Sequence, residues 1–259
     1  MSVLTLSPDM VYRGSLILVN PEYGFRSRPD ELLIPALETR PEILLQRCAS
    51  TLLNRLMQEI QGWRSIVPVS GWRSPEEQQQ IWDDTLRENG PEFTKKFVAL
   101  PGHSEHQTGL AIDLGLKQEQ IDFICPDFPD SGICGIFRKK AAEYGFILRY
   151  PAGKEAVTGI GHEPWHFRYV GAPHARIMKE NGLTLEEYTE FVRQFPFGHS
   201  PCLWKSGNRE IAVSYIKAPA QNSGNAAASG AIKIELSDRH PYTVSGNNVD
   251  GFVLTEWIR

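Results

Sequence analysis

Apolar and polar positions alternate in short blocks along the chain. Leu45, Cys48, Leu52, Leu56 and Ile60 recur at helical spacing, which predicts a core helix over Pro41 to Gln61 that Gly62 can end. Ser74-Pro75-Glu76-Glu77 is a capping box with proline at the first helical position and predicts a helix to about Asn89. Further helices are predicted over Ile136 to Tyr144 before Gly145, over Gly171 to Gly182, and from the capping box at Thr184 to about Gln194. Strands are predicted at Leu16 to Val19, Ile66 to Val69, Thr108 to Leu114, Phe146 to Tyr150 and Trp165 to Val170. Pro68 gives no N–H to a ladder, so the Ile66 strand belongs near a sheet edge.

After Pro201 the character changes. Glu210 to Ile216, Ile232 to Leu236, Tyr242 to Val244 and Gly251 to Ile258 look like strands, with Gly246-Asn247-Asn248 as a turn and Ala218 to Gly230 as a flexible loop. The expected fold class is α+β. A central antiparallel sheet with helices on one side fills residues 1–200, and 201–259 form a small β appendage. The appendage is expected to pack on the main domain or on a second copy of the chain, as a homodimer. Two long connections, Asp122 to Gly135 and Pro151 to Gly161, are expected to serve function, the second beside the mouth of a site.

Composition narrows the class. A formal charge of −4 over 259 residues carries no basic patch suited to nucleic acid or an anionic membrane surface. The longest early apolar run, Leu16 to Val19, is far too short to span a bilayer. Met-Ser-Val-Leu-Thr-Leu-Ser-Pro-Asp has neither a basic start nor an apolar stretch, so no signal peptide is read there and the cytoplasm is expected. Cys48, Cys125, Cys134 and Cys202 have irregular spacing and read as reduced thiols, with a Cys125–Cys134 bridge as the contrary case.

The chemistry concentrates in two stretches. In His103-Ser104-Glu105-His106-Gln107-Thr108-Gly109-Leu110-Ala111-Ile112-Asp113 a carboxylate lies inside an apolar strand, where it is costly without a partner. His106, seven residues earlier, is a companion suited to zinc. The second stretch, His162-Glu163-Pro164-Trp165-His166, contains H-E-x-x-H, the helical zinc signature. Pro164 disfavours the α region for Glu163, so both histidines cannot share one helix face. His166 is read as the third ligand beside His106 and Asp113, and Glu163 as a free carboxylate placed as a general base. His162, His174, His199 and His240 have no partner spacing and read as surface or capping histidines, and His103 is not read as a ligand.

S-x-H-x-x-G-x-A-x-D from Ser104 to Asp113, E-x-W-H from Glu163 to His166, and Ser70-Gly71-Trp72-Arg73-Ser74 followed by Gln78 resemble, in order and spacing, the zinc D,D-peptidases of the vancomycin-resistance type. These are the VanX, VanY and VanXY enzymes, and the resemblance spans about residues 10–195 and is greatest to the VanXY type. It implies the hedgehog/D,D-peptidase-like fold, a Zn2+ cofactor, and a small peptide substrate ending in D-Ala-D-Ala. It also implies that Arg73 stabilises the oxyanion, where the residues alone leave a structural arginine equally open. Gln78, Ser104 and Gln107 are candidates for gripping substrate, and a cap or backbone hydrogen bond accounts for each as well. An L,D-carboxypeptidase or other cell-wall peptidase or amidase would share the metal chemistry. A zinc-binding module without catalysis would not need Glu163 and Arg73.

Overall fold

The structure, a computed structural model, describes residues 2–30, 32–219 and 230–258. Its strands in chain order are β1 (Ser2–Leu6), β2 (Leu33–Leu37), β3 (Arg40–Gln46), β4 (Ile66–Ser70), β5 (Ala111–Leu116), β6 (Phe146–Tyr150), β7 (Glu163–Tyr169), β8 (Cys202–Ser206), β9 (Arg209–Lys217), β10 (Ile232–Leu236), β11 (Tyr242–Gly246) and β12 (Gly251–Trp257). The helices are α1 (Arg47–Ile60), α2 (Pro75–Asn89), α3 (Pro91–Phe97), α4 (Gly132–Ala141), α5 (Glu155–Thr158), α6 (Ala172–Asn181) and α7 (Leu185–Val192). The fold class is α+β, with antiparallel sheets, as expected.

Two compact units divide the chain: Val19–Thr184, and Met1–Leu18 together with Leu185–Arg259. A boundary at residue 200 was the expectation. Chain ends set the observed division, because β1 pairs antiparallel with β10, Leu4 opposite Ile234. That pairing, with β9 beside β12, encloses Leu6, Val11, Ile216, Leu236, Phe252 and Leu254 in a core of their own.

The Val19–Thr184 unit is built on a four-stranded antiparallel sheet in the order β4-β5-β7-β6, which puts the Pro68 strand at an edge. A β2–β3 hairpin and α1 lie with it over a core that includes Leu45, Leu53, Leu56, Ile112, Leu114, Phe137, Phe146 and Phe167. Phe137 and Phe167 meet edge to face, 4.8 Å between ring centroids, and so join α4 to the sheet.

Several elements depart from the expected ones. Residues 41–46, read as the first turns of a helix, form β3. Ile43 and Leu45 are buried there while Glu42 is exposed, the alternation of a strand, and β2 supplies the ladder partner. Gln61, at φ 54°, caps α1 instead of Gly62. Leu16 to Val19 are buried but form no strand: Leu16 N–H donates to Ser245 Oγ and Leu18 N–H to the Asn247 carbonyl, so a turn satisfies them in place of a ladder. The connection expected through Gly135 ends where α4 begins, at Gly132, and α5 interrupts the one after Pro151. β8 was not anticipated. The loop expected at 218–230 falls largely outside the described residues. All four cysteines are free. No helix among the described residues is long and apolar enough to cross a membrane.

Candidate metal centre

Three strands carry the site. Asp113 lies in β5 with Ser70 of β4 opposite it on one side and His166 of β7 opposite it on the other. Glu163 begins β7 opposite Tyr150 of β6. Glu163 to His166 of the H-E-x-x-H run therefore lie in a strand, and Pro164 sits where no helix runs. His106 comes from a 3-10 turn over Glu105–Thr108 immediately before β5. Gly109, at φ 71°, reverses the chain out of that turn, a conformation that favours glycine, and Gln46 braces the turn by donating to the Gly109 and Thr108 carbonyls.

His106, Asp113 and His166 bring one ligand atom each to within 4.8 Å of one another, and all three side chains are buried. His106 Nε2 is 3.1 Å from Asp113 Oδ2, and His166 Nδ1 is 2.9 Å from Asp113 Oδ1. His106 Nδ1 lies 2.6 Å from the Gly71 carbonyl, which accepts its proton and leaves Nε2 for the shared space. Gly71 has no room for a side chain: a Cβ there would sit 2.4 Å from the Leu44 carbonyl oxygen. Tetrahedral ligands about 2.0–2.2 Å from an ion stand roughly 3.3 Å from each other, so two imidazoles and a carboxylate at these separations suit a zinc-sized cation.

Glu163 Oε2 is 3.7 Å from His166 Nδ1. Arg73 follows β4 and precedes the N-cap Ser74, whose hydroxyl accepts from the Glu77 N–H. Its guanidinium donates to Asp113 Oδ2 at 3.1 Å, to Ser70 Oγ at 2.8 Å and to Gln78 Oε1 at 3.3 Å, with Phe123 stacked at 5.4 Å. Arg73, Glu163, His106, Asp113 and His166 line a cavity of about 30 Å³, large enough for water, whose walls include Ser104, Phe97, Phe123, Trp165 and Ile160. Gln78 is fully buried and is not among the lining residues.

Burial and charge set the protonation pattern of these side chains. Burial lifts the Glu163 carboxyl to about 8, against the pull of His166. Burial alone would lower His166, but its hydrogen bonds to Asp113 and Glu105 prevail and hold it at about 9. Burial and the Arg73 charge lower His106. Burial opposes the charge on Asp113, but His106 and His166 outweigh it and keep the carboxyl well below the usual range. Carboxylates pushed apart in this way, one ionised and one able to hold a proton, mark a site equipped for acid–base work.

Sequence reasoning passed over Ser70, Glu105, Arg149 and Arg168, which surround the centre. A signal for the last two was present: Phe-Ile-Leu-Arg-Tyr and His-Phe-Arg-Tyr each set a cation inside an apolar strand, which demands a buried carboxylate. His174, expected at the surface or as a cap, is buried in α6. His162 Nδ1 meets the Tyr150 carbonyl at 2.9 Å and His103 Nδ1 the Asn20 carbonyl at 2.8 Å, so neither ring turns that nitrogen to the centre.

Comparison with known proteins identifies the family. The family model for VanY, D-alanyl-D-alanine carboxypeptidase, matches residues 42–172. The bifunctional D-Ala-D-Ala dipeptidase and D-Ala-D-Ala carboxypeptidase VanXYC of Enterococcus gallinarum is 43% identical over 184 residues, 70% of this chain and 96% of that one. A crystal structure of the vancomycin-resistance D,D-dipeptidase VanXYg, in complex with a D-Ala-D-Ala phosphinate analog, superposes with a TM-score of 0.92 at 47% identity, covering 99% of this chain and 98% of that one. A mutant of the D,D-pentapeptidase VanY from the VanB-type resistance cassette, in complex with Zn(II), has a TM-score of 0.57 at 31% identity, over 68% of this chain and 98% of that one.

Proposed function

The chain belongs to the VanY D-alanyl-D-alanine carboxypeptidase family, and from that footing we propose that it is a zinc peptidase that hydrolyses D-Ala-D-Ala and removes the terminal D-alanine from peptidoglycan precursor peptides. The observation that carries this reading is the convergence of His106, Asp113 and His166 within 4.8 Å on the floor of a cavity that Glu163 and Arg73 also line. The Zn(II) complex of the VanY relative supports zinc as the ion.

His106 Nε2, Asp113 and His166 Nδ1 would hold the ion. Zinc bound there supplies a Lewis acid that brings the pKa of a coordinated water to about 7 and polarises the scissile carbonyl. Glu163 acts as general base, taking a proton from the attacking water and returning it to the departing amine of the terminal D-alanine. Its buried setting suits both directions, because a carboxyl raised toward neutral pH accepts and gives up a proton readily. Arg73 faces the oxygen on which negative charge develops. Ser70, Asp113 and Gln78 fix its guanidinium, so its orientation is set before substrate arrives. Gln78 is a positioning residue for Arg73, whereas Ser104, on the cavity wall, is placed to meet the peptide.

The similarity to a bifunctional relative favours action on both substrates. D-Alanine release by the zinc-loaded protein, measured side by side from D-Ala-D-Ala and from a pentapeptide ending in D-Ala-D-Ala, is expected from both. Release from neither, or release only from peptides with an L,D terminus, would overturn the assignment.

A further inference from the structure

We infer that Glu105, one residue before His106, is a positioning residue that fixes the orientation and tautomer of His166. This rests on the zinc-peptidase reading above and extends it to a carboxylate outside the ligand set.

Glu105 lies in the 3-10 turn and its side chain is fully buried. Its Oε1 accepts from two arginines, Arg149 Nε of β6 and Arg168 Nη1 of β7, each at 2.8 Å, and both arginines are fully buried as well. Its other oxygen, Oε2, is turned to His166 and lies 3.5 Å from Nε2. The division of labour within one carboxylate matters. Two charged donors share Oε1 and lock the group's rotation, and Oε2 is left directed at the imidazole.

Both nitrogens of His166 face a carboxylate, Nδ1 that of Asp113 at 2.9 Å; with Nδ1 and Asp113 given over to an ion, the carboxylate beside Nε2 keeps the one ring proton there and leaves the Nδ1 lone pair to the ion. His106 receives the complementary arrangement from the Gly71 carbonyl, which takes the Nδ1 proton and frees Nε2. Each imidazole thus has one nitrogen held by an outer acceptor and one turned inward, and the two outer acceptors differ in kind. Partners of this sort set both the geometry and the basicity of a ligating histidine.

The cost of the arrangement points the same way. Two cations and one anion without solvent are expensive to bury, and an apolar packing of similar volume is often as stable or more so. Glu105 also ties together the elements that carry the two histidines: it neighbours His106 in sequence, and Arg168 follows His166 by two residues on the same strand.

Glu105→Gln is the test, read by zinc affinity from chelator competition on folded protein well below its thermal transition. Between two arginine donors, the amide must present its oxygen to them and its NH2 to His166. That arrangement favours the wrong tautomer, and zinc binding is expected to weaken about 10- to 100-fold. The visible absorption of the cobalt-substituted protein should shift as the ligand field changes. Glu105→Asp keeps the charge but withdraws it by one methylene, and intermediate affinity is expected. Zinc affinity equal to wild type in both variants, with only the unfolding temperature lowered, would overturn the inference and leave Glu105 a purely structural ion. A readout independent of variant folding is the imidazole 15N spectrum of zinc-loaded wild-type protein. Zinc on His166 Nδ1 with the proton on Nε2 is expected, and the reverse overturns the inference. Failure of wild-type protein to bind zinc at all would instead overturn the parent reading.

Discussion

Gln78 accepts a hydrogen bond from Arg73: its Oε1 lies 3.3 Å from Arg73 Nη1, while its Nε2 donates to the Ala99 carbonyl at 2.9 Å. A candidate for gripping substrate sits behind the cavity wall and links α2 to the segment after α3, through the kind of backbone hydrogen bond that is the other reading of this residue. Gln78→Leu should therefore leave zinc content unchanged and lower kcat about 10- to 100-fold, because the misplaced guanidinium no longer meets the developing charge. A main effect on KM would return Gln78 to substrate binding.

Glu163→Gln removes the base while keeping its shape. Metal content should remain stoichiometric and turnover should fall about 10²- to 10⁴-fold. Zinc analysis beside D-alanine release checks both, and a variant that keeps most of its activity would disprove the role given to Glu163.

Asp113→Ala deletes the oxygens that meet both histidines and also an ion-pair partner of Arg73. Zinc should be lost on gel filtration, since one of three ligands is gone. A full metal complement in that variant would show that the ligand set is wrong.

Gly71→Ala should disturb the centre without touching a ligand. The added methyl group would press on the Leu44 carbonyl of β3, and the Gly71 carbonyl that orients His106 must shift. Overpacking of this kind costs about 1–3 kcal/mol. Urea unfolding should show that loss, and chelator competition should show weaker zinc binding in the fraction that remains folded.

The buried His174 predicts acid sensitivity of the fold. Burial pushes its pKa down to about 4, below the value near 6.5 of the unfolded chain. The folded state holds the ring neutral, so its contribution is intact above about pH 6.5 and is lost as pH falls through 4. The full loss is about 3 kcal/mol. Urea midpoints of the zinc-free protein between pH 7 and 4 should fall more steeply for wild type than for His174→Gln. Parallel curves would place the acid sensitivity elsewhere.

Local signals made much of this molecule readable before its structure. Pro68 put its strand at an edge, Ser74 capped α2, Gly182 closed α6, and Pro164 excluded the helical reading of H-E-x-x-H. His106, Asp113 and His166 stood out because the residue types and their spacing are few enough to be specific. What escaped depends on partners remote in sequence. β3 is a strand because β2 pairs with it and Trp72 N–H donates to the Leu44 carbonyl, while its apolar spacing alone fits a helix. The first strand belongs with the last part of the chain because Leu4 meets Ile234, a pairing that no local pattern announces. Gln78 reads as a candidate for gripping substrate and Glu105 as nothing in particular, until burial and hydrogen bonding show that one holds Arg73 and the other faces His166.

An anomalous difference map at the zinc edge, from a crystal of the zinc-loaded protein, would locate the ion itself. The ligand set His106, Asp113 and His166 predicts one peak bonded to His106 Nε2, an Asp113 carboxylate oxygen and His166 Nδ1, with Glu163 beside it and not bonded. A peak on other residues, or Glu163 in the first coordination sphere in place of one of those three, would contradict it.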